Sequence, residues 1–315
     1  MTGDEILLRK FEGAMLGAAV GDAIGAPVEG FSGERAARLY DERGWKMVSG
    51  RYTDDTEMMI GVAESLIACR GFNGEHMAMQ FLRNYDGSRG YGPGTEEVFR
   101  ILRRIGCQRW REASLSLFGG EGSYGNGAAM RVVPVGLLYH DDVNKLVEVS
   151  YESSLITHAH QLAKEGAALQ AYAVALAVRS DTGGERLKML RALKEAPISS
   201  SYMEKLSRIE EILRMERHDD EVRKRVISEL GNGIEALNSV PTAIFSFLHT
   251  ENFVESIKFA ISVGGDTDTI AAMTGAISGA FHTVSEIPDY WLTDLERQSY
   301  IRQLADNLHK LWKEM

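Results

Sequence analysis

The sequence predicts an all-α fold on three observations. Apolar residues recur at helical spacing along most of the chain, strand-like alternation is confined to one short stretch, and small residues recur every fourth position in two segments. Over 315 residues with only 6 prolines, no Pro-rich linker and no internal repeat, this reads as a single compact orthogonal helical domain spanning 1–315.

The first helix is expected over residues 5–26, where Gly13, Gly17, Gly21 and Gly25 leave one stripe without side chains. That stripe costs helix propensity, and close packing against another backbone would compensate. A second helix over 56–69 carries Met59, Val62, Ala63, Leu66 and Ile67 on one face. Residues 113–118 (ASLSLF) alternate and are the best strand candidate. Residues 161–178 are Ala-rich and apolar nearly all round, as expected of a central helix. The charged stretch 181–232, with patterns such as MEKLSRIEEILRM, is read as a solvent-facing helical cap excursion. A last core helix over 267–281 repeats the small-residue theme at Ala271, Gly275 and Gly279.

A hydrophobic fraction of 44% with 25% charged residues excludes wholesale disorder. With 45 Asp+Glu against 35 Lys+Arg, the net charge of −10 argues against general nucleic-acid binding and against an anionic membrane surface. A small anion held by a local device remains compatible. Cys69 and Cys107 form no C-x-x-C pair, so neither a disulfide framework nor a thiolate zinc site is expected. No basic leader precedes the first apolar residues, and the longest apolar run, 171–178, is too short to span a bilayer. A cytoplasmic location is expected.

Two acidic clusters stand at predicted helix starts: Thr53-Asp54-Asp55-Thr56 and Asp266-Thr267-Asp268-Thr269. Either alone fits helix capping, with Asp54 and Glu57 spaced as a capping box. Capping needs one oxygen per helix, however, and here four carboxylates crowd two helix starts. If both helices belong to one core their starts could meet, and four like charges would then require a cation between them. An all-oxygen set suits hard divalent ions such as Mg²⁺ or Mn²⁺. Asp266-x-Asp268 lacks the glycine and distant Glu of an EF-hand. Glu29, on an exit loop with Pro27 and Gly30, is a third candidate, although a lone loop Glu is ordinarily just solvated. Asp22, inside the glycine-striped helix, reads as a buried polar anchor.

The run Gly120-Glu121-Gly122-Ser123-Tyr124-Gly125-Asn126-Gly127 leads into a helical pattern beginning AAMRVV, so its amides and the helix dipole could cradle a diphosphate. It formally contains G-x-G-x-x-G, but no βαβ succession surrounds it, which disfavours a dinucleotide fold and a nicotinamide oxidoreductase. Ser88-Arg89-Gly90-Tyr91-Gly92-Pro93-Gly94 is a second glycine loop. Tyr91, Phe118 and Tyr124 could stack on a base or ribose, though such residues more often pack onto a core. Thr157-His158-Ala159-His160 precedes the Ala-rich helix, where imidazoles are usually structural. No Ser-His-Asp or Cys-His set stands out.

Together GAMLGAAVGDAIGAPVEG, RYTDDTEMMI, SRGYGPG, GSYGNGAAMRV, ITHAH and VGGDTDTIAAMTGAISGA occur in an order that resembles the ADP-ribosylglycohydrolase family over residues 11–281. The resemblance implies an all-α enzyme with a dinuclear metal centre, two Mg²⁺ (Mn²⁺ possible), at the base of an ADP-ribose cleft. It implies metal coordination by Thr53, Asp54, Asp55, Asp266, Asp268 and Thr269, and catalytic roles for Glu29, Asp55 and Asp266. It further implies a diphosphate loop at Gly122, Ser123, Tyr124, Gly125 and Asn126, a ribose-bordering loop at Gly90, Tyr91 and Gly92, and cleft contacts at Phe118, Tyr124 and His158. The implied reaction is hydrolysis of the bond between the anomeric carbon of ADP-ribose and its acceptor. The implied partners are ADP-ribosylated proteins or small ADP-ribosyl conjugates, with ADP-ribose as product. SRGYGPGTEEVF and VPTAIFSFL are closer to the branch acting on serine-linked ADP-ribose and poly(ADP-ribose) than to the arginine branch. The stretch between Glu29 and Thr53, where a mobile flap is expected, looks shorter than in animal members of that branch. Arginine-linked hydrolysis and a non-catalytic ADP-ribose-binding or crystallin-like role are the rival expectations.

Overall fold

The first helix begins where the sequence supplies its own cap. The Thr2 hydroxyl accepts from the Glu5 amide at 3.3 Å and the Glu5 carboxylate accepts from the Thr2 amide at 2.8 Å. The computed structural model describes residues 2–180, 186–196, 199–215 and 219–315. In chain order its helices are α1 (Gly3–Gly25), α2 (Gly33–Glu42), α3 (Asp54–Cys69), α4 (Gly74–Asn84), α5 (Pro93–Ile105) and α6 (Trp110–Leu115). There follow α7 (Val133–Leu138), α8 (Val143–Ser154), α9 (Gln161–Arg179), α10 (Arg186–Lys194), α11 (Ser200–Leu213) and α12 (Asp219–Arg225). The last five are α13 (Ala236–His249), α14 (Phe253–Val263), α15 (Thr267–His282), α16 (Asp289–Asp294) and α17 (Gln298–Lys313). No strand forms among the described residues, and the only β pairing there is two isolated bridges, Ser32 with Gly264 and Gly125 with Glu235.

The glycine stripe of α1 meets the small-residue stripe of α15 in an antiparallel pair. A Cβ on Gly13 would lie 2.2 Å from the Gly279 carbonyl oxygen, one on Gly17 2.3 Å from that of Gly275, and one on Gly21 2.0 Å from that of Ala271. At the end of the register a Cβ on Gly25 would lie 2.4 Å from the Asp268 Cα. Backbone is therefore packed on backbone along the whole pair, which no larger residue permits. Around this axis α9, α13 and α14 pack against α15, and α17 packs against α1. The Ala-rich α9 is central as expected, and Gln170 donates from it to the Met273 carbonyl at 2.9 Å.

The predicted strand is instead α6 and the turn after it. With no partner strand available, Ser114 donates to the Leu155 carbonyl and Ser116 to the Ala113 carbonyl at 2.7 Å, while Trp110 and Ala113 are buried. Six alternating residues decide little when tertiary contacts favour one helical turn. In the charged excursion 181–232, residues 181–185, 197–198 and 216–218 lie outside those described. Its described helices bury Leu190, Leu193, Tyr202, Leu206 and Ile209. α10 packs on α9 and α11 on α13, and the Tyr202 hydroxyl donates to the Leu162 carbonyl at 2.9 Å. Among the described residues no helix is long and apolar enough to cross a membrane.

Candidate active site

The α1–α15 register decides where the acids go. Because α15 runs antiparallel to α1, its start lies at the end of α1, and the Thr267 hydroxyl donates to the Gly25 carbonyl at 2.9 Å. The chain leaves α1 through a single turn, Ala26–Val28, directed by Pro27, and so brings Glu29 back over that start. Gly30 donates to the Gly265 carbonyl at 2.8 Å, and Gly265 donates to the Phe31 carbonyl at 3.1 Å. Gly264 and Gly265 sit at φ 70° and 75°, and a Cβ on Gly265 would lie 2.1 Å from the Asn232 carbonyl oxygen. Only glycine fits this turn.

Asp22 brings the second cluster to the same place. Fully buried in α1, its carboxylate accepts from the Thr53 amide (2.9 and 3.1 Å), the Thr56 amide (3.0 Å) and the Thr56 hydroxyl (2.6 Å). It is the buried anchor expected of it, and it docks the start of α3 onto α1. The two acidic turns therefore converge, with the Thr269 hydroxyl 3.3 Å from Asp55 Oδ1. The capping expectation needs one correction. Thr53, not Asp54, is the N-cap, and it accepts from the Asp55 amide at 3.3 Å. Glu57 reaches no cap because it lies between Arg89 (3.7 Å) and Arg297 (3.8 Å). Asp266 caps α15 by position without a side-chain hydrogen bond to its first turn. Capping thus consumes none of the four carboxylates.

Their electrostatics are those of a site built for a cation. Asp55, Asp266 and Asp268 are each less than a tenth exposed. Burial raises the Asp55 carboxyl well above the usual range, with the charges of Asp22 and Asp268 adding to it. Burial does the same to Asp268, reinforced by Asp266 and Glu29. Burial and the Asp22 charge raise Asp54 to about 7. Asp266 reaches only about 6 because the Asn126 hydrogen bond opposes its burial. Asp55 Oδ2 is buried without a hydrogen-bond partner, an arrangement that costs free energy unless something else satisfies it. Carboxylate oxygens of Glu29, Asp266 and Asp268 lie within 4.8 Å of one another. An all-oxygen donor set, mutual repulsion and an orphaned buried oxygen together fit a hard divalent cation.

The first glycine loop is moored to this centre. Asn126 donates from Nδ2 to Asp266 Oδ2 at 2.5 Å. Its backbone amide donates to the Ile234 carbonyl at 2.9 Å, and Ala236 donates to the Tyr124 carbonyl at 3.1 Å. His158 is buried behind the loop, and burial with the nearby Arg131 lowers it to about 3, so its ring is neutral. A Cβ on Gly127 would lie 2.6 Å from that ring, and one on Gly122 2.6 Å from the Ala159 Cβ. These glycines are therefore needed for space. The expected helix dipole behind the loop is missing. Asn126–Ala128 is one 3₁₀ turn, and α7 starts only at Val133. Within the loop the Gly122 amide donates to the Leu117 carbonyl and the Gly125 amide to the Ser123 hydroxyl (both 3.2 Å), which leaves the Ser123 and Tyr124 amides as candidate donors to an anion.

The remaining expected residues divide. Gly90 faces the centre, since a Cβ there would lie 3.9 Å from Asp54 Oδ1. Gly92 caps α5. Tyr91 is not free to stack: it is 7% exposed, with its ring centroid 4.8 Å from Tyr85 and 5.7 Å from Phe99. Phe118 is 63% exposed and Tyr124 52%, and both are available at the rim. The Phe118 ring lies near the second glycine loop, 3.7 Å from where a Gly94 Cβ would stand. Three residues escaped the sequence reading. Ile234 is 67% exposed beside the first loop. Arg131, 1% exposed, donates to the Gly127 carbonyl (2.9 Å) and Thr157 hydroxyl (2.8 Å) behind it. Asn232 accepts from the Asp266 amide at 2.9 Å. Asn232 and Ile234 act through backbone groups, and Arg131 through a guanidinium buried far from its partners in sequence, none of which leaves a residue pattern.

Comparison with known proteins agrees with this fold. ADP-ribosylhydrolase ARH3 of Xenopus tropicalis is 36% identical over 96% of this chain and 95% of its own length. ADP-ribosylarginine hydrolase Tri1 of Serratia proteamaculans is 25% identical over 96% of this chain and 79% of its own. A solved structure titled ADP-ribosylglycohydrolase-related protein complex shares the fold with a TM-score of 0.76, covering 98% of this chain and 99% of that one. The ADP-ribosylglycohydrolase family model matches residues 4–315, and the chain belongs to that family.

Proposed function

We propose that this chain hydrolyses the glycosidic bond between the anomeric carbon of ADP-ribose and an oxygen acceptor, as in serine-linked ADP-ribose, O-acetyl-ADP-ribose or poly(ADP-ribose). The observation that carries it is the 2.5 Å contact between Asn126 and Asp266, which sets an anion-cradling loop one hydrogen bond from a cluster of buried acids. A substrate whose diphosphate is joined directly to the reacting sugar suits that juxtaposition. The working unit is one domain over 1–315, and its setting is cytoplasmic, in keeping with two unpaired cysteines.

In the mechanism the Ser123 and Tyr124 amides, the two in the Gly122–Asn126 loop that do not already donate to a described residue, hold the diphosphate, and exposed Phe118 and Tyr124 wall the adenosine side. Thr53, Asp54, Asp55, Asp266, Asp268 and Thr269 would hold two Mg²⁺ or Mn²⁺. Such ions, when bound, supply positive charge for ribose hydroxyls and make a water easier to deprotonate. Asp55, Asp266 or Glu29 accepts a proton from the water that attacks the anomeric carbon as positive charge grows there. The bond between the anomeric carbon and the acceptor oxygen breaks, and that oxygen takes up a proton to balance the one lost by the water. The acceptor leaves as an alcohol, or as acetic acid from the O-acetyl conjugate, with ADP-ribose released.

The oxygen acceptor is supported by greater identity to the ADP-ribosylhydrolase ARH3 proteins than to the arginine hydrolase, and by the SRGYGPGTEEVF and VPTAIFSFL stretches. The test is release of ADP-ribose from serine-linked and arginine-linked peptides side by side, with and without EDTA. Release from the serine-linked peptide alone, abolished by EDTA, is expected. Preference for the arginine linkage would overturn the acceptor, and tight ADP-ribose binding without turnover of any linkage would overturn the hydrolase.

A further inference from the structure

We propose that Ser239 is a positioning residue that fixes the side-chain amide of Asn126 and, through it, Asp266. The inference rests on the reading of the acidic cluster as a cation site. Ser239 is fully buried on α13 and lies outside every motif that marks the site. Its hydroxyl donates to the Glu235 carbonyl at 2.9 Å, so its proton is committed and only its lone pairs face outward. Asn126 Nδ2 stands 3.1 Å from that oxygen and 2.5 Å from Asp266 Oδ2. Both neighbours are acceptors, so the amide must turn its two N–H bonds to them, one to each. The reverse orientation would set the amide oxygen against a carboxylate. Asp266 thus selects which end of the amide faces it, and Ser239, by accepting the second N–H, holds the side chain in that position, so that Asp266 keeps a fixed donor on one of its oxygens.

The same segment holds both sides of the centre. Asn232 receives the Asp266 amide, Ile234 receives the Asn126 amide, and Ala236 donates to Tyr124. The backbone from 232 to 236 thus ties the acidic turn to the glycine loop, and Ser239 extends the tie to the side chains. Partners that orient a metal ligand in this way typically matter 10–100-fold for metal affinity.

Ser246 provides the control. It is also fully buried on α13 and donates to its own i−4 carbonyl, that of Thr242, at 2.8 Å. S239A and S246A therefore remove the same kind of local bond, but only the first touches Asn126. The experiment is calorimetric titration of the full chain with Mn²⁺ alone, alongside thermal melting. We expect S239A to weaken Mn²⁺ binding about 10-fold, and S246A to stay within about twofold of wild type at a similar fall in Tm. Adding S239A to N126A should cause no further loss, because one residue acts through the other. Equal effects of S239A and S246A, or additive losses in the double variant, would overturn the proposal. A wild-type chain that binds no Mn²⁺ would overturn the cation reading and this proposal with it.

Discussion

Asp55 sits where a carboxylate is least tolerated without a cation. It is 3% exposed, one oxygen lacks a partner, and Asp22 and Asp268 stand close enough to raise its pKa. In the metal-free chain that charge is a liability. Asp55→Asn should therefore raise the metal-free stability at pH 8 by about 1–3 kcal/mol while abolishing hydrolysis and any gain in Tm from Mg²⁺. The pH dependence has a definite sign. A carboxyl whose folded pKa exceeds its unfolded value of 3.8 holds its proton more tightly when folded. With Asp54 at about 7 and Asp266 at about 6, the part of the metal-free stability that these two carboxyls contribute is fully present below about pH 4 and is lost as pH rises to about 7. Melting in EDTA across that range checks this. A metal-free Asp55→Asn chain no more stable than wild type at pH 8 would contradict it.

Among the elements, the α1–α15 pair makes the strongest demand on sequence. Gly21→Ala would put a Cβ 2.0 Å from the Ala271 carbonyl oxygen, backbone that cannot swing away. The expected cost is about 3 kcal/mol or more, with loss of the site, because Glu29 and Asp268 both depend on this register. Gly3→Ala, with nothing within 4 Å of the added carbon, should instead gain about 0.5 kcal/mol. Urea denaturation of the two variants separates packing from propensity. This element was legible in advance: glycines at spacing four in one segment and small residues at spacing four in another state a close contact outright. Residues 113–118 were not, because alternation of Ser with Leu marks a face only when a neighbouring strand exists to define it. Thr53 displaced Asp54 as the cap because the Asp22 carboxylate, far off in sequence, takes the Thr53 and Thr56 amides and sets where α3 starts.

At the scale of the molecule, the fold brings two short acidic turns to one end of a glycine-lined helix pair. The acidic candidate ligands could be read from their positions, since four carboxylates at two predicted helix starts exceed what capping uses, while Thr53 and Thr269 entered only through the family resemblance. Their convergence could not, because it depends on α15 running antiparallel to α1 and on Asp22 docking α3. Nor could the backbone tie through 232–236, where Asn232 and Ile234 act by carbonyl groups that any residue carries. What the sequence left open about Tyr91 is settled by its neighbours Tyr85 and Phe99, which draw the ring into the core. The central claim is that residues 53–55 and 266–269 jointly hold a hard cation, and the direct measurement is anomalous diffraction from crystals soaked in Mn²⁺. Peaks bounded by Asp54, Asp55, Asp266 and Asp268 are expected. Full occupancy elsewhere, or no peak in a crystal of active enzyme, would contradict the account.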